Sequence, residues 1–135
     1  MSTDQKKRIL IVDDEADVCE ALKTELVDFG LEVFTASNGL EALDIFYENG
    51  VHLIVTDFKM PTLDGVEFLE EIVNRKLEVP IIIMTGHAEE EEGLAIRPGV
   101  RKVLVKPFTA RALYESINSI LQKEGEYISE QLKTG

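Results

Sequence analysis

The chain has 135 residues, 44% of them hydrophobic and 30% charged, a single cysteine, and a formal net charge of −12. That length fits one domain with one core, no apolar run nears the roughly 20 residues that span a bilayer, and no signal-peptide stretch follows Met1–Lys7, so a cytoplasmic protein is expected. The acidity leaves no basic footprint for neutralising phosphates, which argues against direct nucleic-acid binding and against an anionic membrane surface.

Residues 1–7 read as a flexible lead-in. The first strand, Ile9–Val12, runs into Asp13-Asp14. Apolar residues then recur at helical spacing, at Val18, Ala21, Leu22, Leu26 and Phe29, and Gly30 stops the helix. Cys19 falls inside it as a small packing residue rather than a reactive thiol. Val33 and Phe34 centre a short second strand. Asn38 with Glu41 has the spacing of a capping pair for a second helix carrying Leu40, Leu43, Phe46 and Tyr47, which Asn49-Gly50 ends.

The third strand, Leu53 to Thr56, is an apolar run that ends abruptly at Asp57, before a turn bearing Pro61, Asp64 and Gly65. Asp64 with Glu67 opens a third helix whose buried stripe is Phe68, Leu69, Ile72 and Val73. The fourth strand, Ile81–Met84, ends in Thr85-Gly86. Ala88–Ile96 reads as one short helix, with Glu89–Glu92 as a solvated first turn that complements its dipole. Gly93 weakens this helix and Pro98 ends it. The fifth strand, Val103–Val105, leads into Lys106-Pro107. Thr109 caps a last helix with Leu113, Ile117, Ile120 and Leu121. Residues 124–135 read as a polar tail or the start of a linker, with Tyr127, Ile128 and Leu132 spaced as an extra turn able to support a dimer.

Five β-α units in alternation imply a mostly parallel sheet with helices on both faces. Strands one, three and four are the most apolar and belong in the centre; strand two is mixed and belongs at an edge. Open sheets of this kind bind ligands at the carboxyl ends of their strands, where Asp13, Asp14, Asp57, Thr85 and Lys106 all fall. Crowded carboxylates call for a divalent cation, and Mg²⁺ prefers oxygen ligands and a phosphate. A helix cap accounts for one of the acids at most. An aspartate can take a phosphoryl group as an acyl phosphate, and Lys106, Thr85 and nearby amides could meet its oxygens.

Asp13-Asp14 after an apolar strand, Asp57 with Met60-Pro61 and Asp64-Gly65 behind it, Thr85-Gly86, and Lys106-Pro107-Phe108 together resemble the receiver domain of two-component response regulators. The resemblance covers about residues 8–123. It implies a flavodoxin-like (βα)5 three-layer α/β sandwich with strand order 2-1-3-4-5 and a cis Lys106–Pro107 peptide. Asp57 would be the phosphoacceptor, charged by a sensor histidine kinase or a small acyl phosphate donor. Asp14 and Asp57 would bind Mg²⁺ directly and Asp13 through water, with the Lys59 backbone carbonyl completing the set. Lys106 and Thr85 would engage the phosphoryl group, with Phe58, Gly86 and His87 beside it; Lys59 and His87 would tune its lifetime. The signal would spread to the face formed by the fourth helix, fifth strand and fifth helix, where an output partner, a histidine phosphotransfer protein or a second copy would bind.

Two features depart from the family. Its usual Tyr or Phe three residues before the lysine is Val103 here, and the stretch from Thr85 to Lys106 is slightly short. An alternative is therefore a receiver-like interaction module that acts without phosphorylation. A Mg²⁺-dependent phosphohydrolase is disfavoured because Lys59, not an acid, stands two residues beyond Asp57. The chain reads either as a free-standing receiver or as a piece of a longer regulator.

Overall fold

The computed structural model describes residues 6–59 and 65–134, without the side chains of Val66 and of residues 126–134. In chain order the elements are β1 (Arg8–Val12), α1 (Ala16–Asp28), β2 (Glu32–Ala36), α2 (Gly39–Asn49), β3 (Leu53–Asp57), α3 (Gly65–Asn74), β4 (Ile81–Thr85), a 3-10 turn (Ala88–Glu90), α4 (Glu91–Ala95), β5 (Val100–Val105) and α5 (Ala110–Thr134). The strands form one parallel sheet in the order β2-β1-β3-β4-β5. This is the flavodoxin-like arrangement expected, with β2 at an edge and β1, β3 and β4 inside.

The central strands are apolar throughout because both their faces are covered. Alternate residues serve two cores. Leu10, Val12, Ile54, Ile81, Ile83 and Val103 pack against Leu43 of α2, Phe68, Leu69 and Ile72 of α3, and Leu94 of α4. Ile9, Ile11, Leu53, Val55, Ile82 and Met84 meet Cys19 and Leu26 of α1 and Leu113, Ile117 and Ile120 of α5. The second layer closes with Phe29 stacked on Tyr114, ring centroids 4.5 Å apart.

The punctuation of the chain is physical. Gly30 and Gly50 follow α1 and α2 with φ of +97° and +64°, the left-handed region where only glycine is unstrained. The Asn38 side chain accepts the Glu41 amide hydrogen at 2.9 Å. The Glu41 carboxylate in turn accepts the amide of Ser37, one residue earlier than a strict capping box would have it. Thr109 caps α5 by accepting the Ala112 amide at 3.0 Å.

Four expectations need correction. The acidic segment forms a 3-10 turn and a five-residue α4 rather than one helix over 88–96. β5 begins at Val100, not Val103, because backbone pairing with β4 extends back past the exposed Arg101 and Lys102. The residues from 124 on, read as a polar tail or the start of a linker, are helical: α5 continues through Gly125 to Thr134, since helical hydrogen bonds tolerate an interior glycine at about 1 kcal/mol. Val73 stands on an exposed helix surface rather than in the buried stripe of the third helix, and Leu40 and Tyr47 of α2 are exposed as well. Met60, Pro61 and Asp64 lie outside the described residues, as do the side chains of Tyr127, Ile128 and Leu132. No helix among the described residues is long and apolar enough to cross a membrane.

Candidate functional site at the carboxyl edge of the sheet

Register delivers the acids. Val12 of β1 pairs with Thr56 of β3, so the next residues, Asp13 and Asp57, emerge side by side. The Asp13 amide donates to the Ala36 carbonyl at 3.0 Å and the Phe58 amide to the Met84 carbonyl at 3.0 Å, which fixes both backbones as the strands end. Thr85 of β4 pairs with Val105 of β5, and the Lys106 amide donates to the Thr85 carbonyl at 2.7 Å. Four strand ends thus face one another. The Lys106–Pro107 peptide is cis.

Oxygens of Asp13, Asp14 and Asp57 lie within 4.8 Å of one another. Asp13 and Asp57 are buried and Asp14 is exposed. The Lys106 ammonium lies 3.5 Å from Asp13 Oδ2 and 3.5 Å from Asp57 Oδ1. Three carboxylates against one ammonium leave two negative charges, the complement of one divalent cation. The donors are all hard oxygens, the set that suits Mg²⁺.

The local bonds aim these oxygens. Asp13 Oδ1 accepts the Glu15 amide at 3.0 Å, so it shapes the turn into α1 without capping the helix; the N-cap position is Glu15, whose side chain makes no cap bond. Asp57 Oδ1 accepts the Phe58 amide at 3.0 Å. Burial raises the Asp57 carboxyl above its ordinary range; Lys106 opposes this and Asp13 adds to it. Burial alone would lower Lys106, but the Asp57 and Asp13 carboxylates outweigh it and hold the ammonium charged. Beneath the site, the Cys19 thiol donates to the Asp13 carbonyl at 3.5 Å, and burial pushes its pKa up to about 11. It is a packing residue, inert at neutral pH.

Thr85 is brought to this edge but is engaged elsewhere. Its hydroxyl donates to Glu90 Oε1 at 3.0 Å and accepts the His87 amide at 3.1 Å. The Lys59 ammonium lies 3.8 Å from Glu90 Oε2. His87 is exposed, with Nδ1 3.4 Å from the Glu89 carboxylate. Around Gly86 no atom lies within 4 Å of where a Cβ would stand. Phe58 is half-buried against the core layer that holds Val103. Val103 itself is only 6% exposed, packed in the layer with Ile83 and Leu94. Glu90 was hidden in the sequence, one acid among four read as a solvated turn. Its half-buried position and its link to Thr85 emerge only once the 3-10 turn folds it back over β4.

A family model, the response regulator receiver domain, matches residues 9–118. The chain belongs to the response regulator receiver family. This receiver is 41% identical over 120 residues to ycf27 of Porphyra purpurea, a probable transcriptional regulator, covering 88% of this chain and 49% of that protein. It therefore spans about half the length of that curated relative. Among solved structures, the CheY-like receiver domain protein of Methanospirillum hungatei JF-1 superposes with a TM-score of 0.83 at 30% identity, covering 91% of this chain and 99% of that one. The response regulator TrrA of Thermotoga maritima, solved in complex with Mg²⁺–BeF, has a TM-score of 0.74 at 36% identity, with 84% and 97% coverage.

Proposed function

We propose that this receiver is a phosphorylation switch, with Asp57 as its phosphoacceptor and Mg²⁺ as its cofactor. The observation that carries the reading is the meeting of Asp13, Asp14, Asp57 and Lys106 at one strand-end edge, with two negative charges uncompensated. The chemistry needs a carboxylate nucleophile, an in-line approach and positive charge around the equatorial oxygens. An Asp57 oxygen attacks the phosphorus of a phosphohistidine on a sensor kinase. The new P–O bond forms as the P–N bond breaks, and the imidazole nitrogen departs with the electron pair. Asp14, Asp57 and the Lys59 carbonyl would hold Mg²⁺, with Asp13 joined through water. The ion supplies charge neutralisation at the phosphoryl oxygens. Lys106 exchanges its carboxylate partners for a phosphoryl oxygen, and the Thr85 hydroxyl and Gly86 amide donate to another. Phe58 and His87 border the group, and Lys59 and His87 govern water access and so its lifetime. The only turnover is phosphotransfer onto Asp57 and later hydrolysis.

The output is a change in partner binding on the face made by α4, β5 and α5. Its partner would be an output protein, a histidine phosphotransfer protein or a second copy. Val103 replaces the usual aromatic, so the switch is of an atypical kind. The net charge of −12 argues against direct DNA binding by this chain; the transcriptional roles of its relatives would reside outside the matched half. The complex of the Thermotoga maritima regulator with Mg²⁺–BeF supports the reading, because beryllium fluoride imitates a tetrahedral phosphoryl group. Beryllofluoride with Mg²⁺ should shift the amide resonances of Phe58, Gly86 and Lys106, and Asp57→Ala should abolish the shifts. Unchanged resonances in the wild type at millimolar beryllofluoride and Mg²⁺ would contradict it.

A further inference from the structure

We propose that Glu90 is a latch that holds the Thr85 hydroxyl in the resting state and couples its release to α4. The inference rests on the phosphoacceptor reading above and adds to it a residue outside the family's site set. A threonine hydroxyl has one hydrogen to donate. Here that hydrogen goes to Glu90 Oε1 at 3.0 Å, while the oxygen accepts the His87 amide at 3.1 Å. Both capacities of the side chain are in use, so Thr85 cannot donate towards a group on Asp57 without giving up Glu90.

Glu90 is built to hold its end. Its own amide donates to the His87 carbonyl at 3.0 Å, closing the 3-10 turn, and its second carboxylate oxygen faces the Lys59 ammonium at 3.8 Å. Its side chain is 29% exposed, so water only partly competes for the bond. Glu90 also immediately precedes α4, whose Leu94 is buried in the layer that contains Val103. The contact therefore joins the strand end bearing Thr85 to the short helix through one side chain and its own backbone. That route needs no aromatic ring at position 103. The two arrangements of Thr85, bonded to Glu90 or turned to the phosphoryl group, exclude each other, and a phosphoryl group biases the pair by offering the better acceptor.

The test is the affinity for beryllofluoride at saturating Mg²⁺, followed by amide resonances, in the wild type, Glu90→Ala, Glu90→Gln, Thr85→Ala and the Thr85→Ala/Glu90→Ala double variant. Losing the charged acceptor should tighten binding about 3- to 10-fold in Glu90→Ala. Glu90→Gln keeps a neutral acceptor and should fall between that variant and the wild type. In the Thr85→Ala background, removing Glu90 should change the affinity less than about twofold, because the latch then has nothing to hold. Equal or weaker binding by Glu90→Ala would overturn the latch. A gain that persists without Thr85 would overturn it too, showing plain charge repulsion. A wild type that binds Mg²⁺ but no beryllofluoride would instead fail the phosphoacceptor reading, and the latch with it.

Discussion

Burial and Asp13 both favour the neutral form of the Asp57 carboxyl, and Lys106 opposes them. Because the carboxyl's folded-state value is raised, the folded protein keeps this proton to higher pH than the unfolded chain does. Stability from this group therefore falls as pH rises through the interval between the two values, and above it the ionised carboxylate is a standing cost. Asp57→Asn should raise Tm at pH 7 by about 2–5 °C in thermal melts, since Lys106 keeps Asp13 as a partner. Millimolar Mg²⁺ should stabilise the wild type more than the variant. A lower Tm for Asp57→Asn would show that the Lys106 pair outweighs the crowding. At the opposite end of the sheet His52 behaves differently. Its Nδ1 accepts the Arg8 amide at 2.9 Å, which requires a neutral ring, and burial, Lys7 and Arg8 lower its pKa. For a base held low in the folded state, the unfolded chain binds the extra proton. Stability should then decline as pH falls from about 6.5 towards the folded-state value. His52→Asn places Oδ1 where Nδ1 stands and should flatten that decline in urea titrations between pH 7.5 and 5.5. An unchanged slope would contradict the assignment.

At the scale of elements, the N-terminal cap of α2 carries testable weight. Asn38→Ala removes the acceptor for the Glu41 amide and should cost about 1 kcal/mol in urea unfolding. Val103 decides a different question. It is buried beside Ile83 and Leu94, under a helix of only five residues. Restoring the family's ring with Val103→Tyr should overpack this layer and cost about 1–3 kcal/mol rather than create a freely swinging switch. A neutral effect on unfolding would mean that space for a ring exists there. The elements also show what was legible in the sequence. β1, β3 and β4 announced themselves as apolar runs because both faces are covered, and the polar residues at their ends, Asp13, Asp57 and Thr85, were legible from their place in the sequence. α4 was not legible, because Glu89–Glu92 carries the composition of a solvated turn while one of the four folds inward to Thr85. The length of α5 was missed because Gly125 and the polar residues after it look like a helix stop, whereas the helix continues.

For the whole molecule, the sheet order makes the rest follow. Placing β1, β3 and β4 side by side gathers Asp13, Asp14, Asp57 and Thr85 from segments far apart in the chain, and β5 at the edge adds Lys106. Short-range pattern found each of these residues, but only the parallel order brings their side chains within reach of one another. The central claim is that this edge accepts a phosphoryl group on Asp57. The most direct measurement is the intact mass of the protein after incubation with acetyl phosphate, with and without Mg²⁺, beside Asp57→Asn. A single phosphate adduct of about 80 Da that requires Mg²⁺ and is absent from Asp57→Asn is the predicted result. An adduct of the same size on Asp57→Asn, or no adduct on the wild type from acetyl phosphate or from a phosphorylated sensor kinase, would contradict the account.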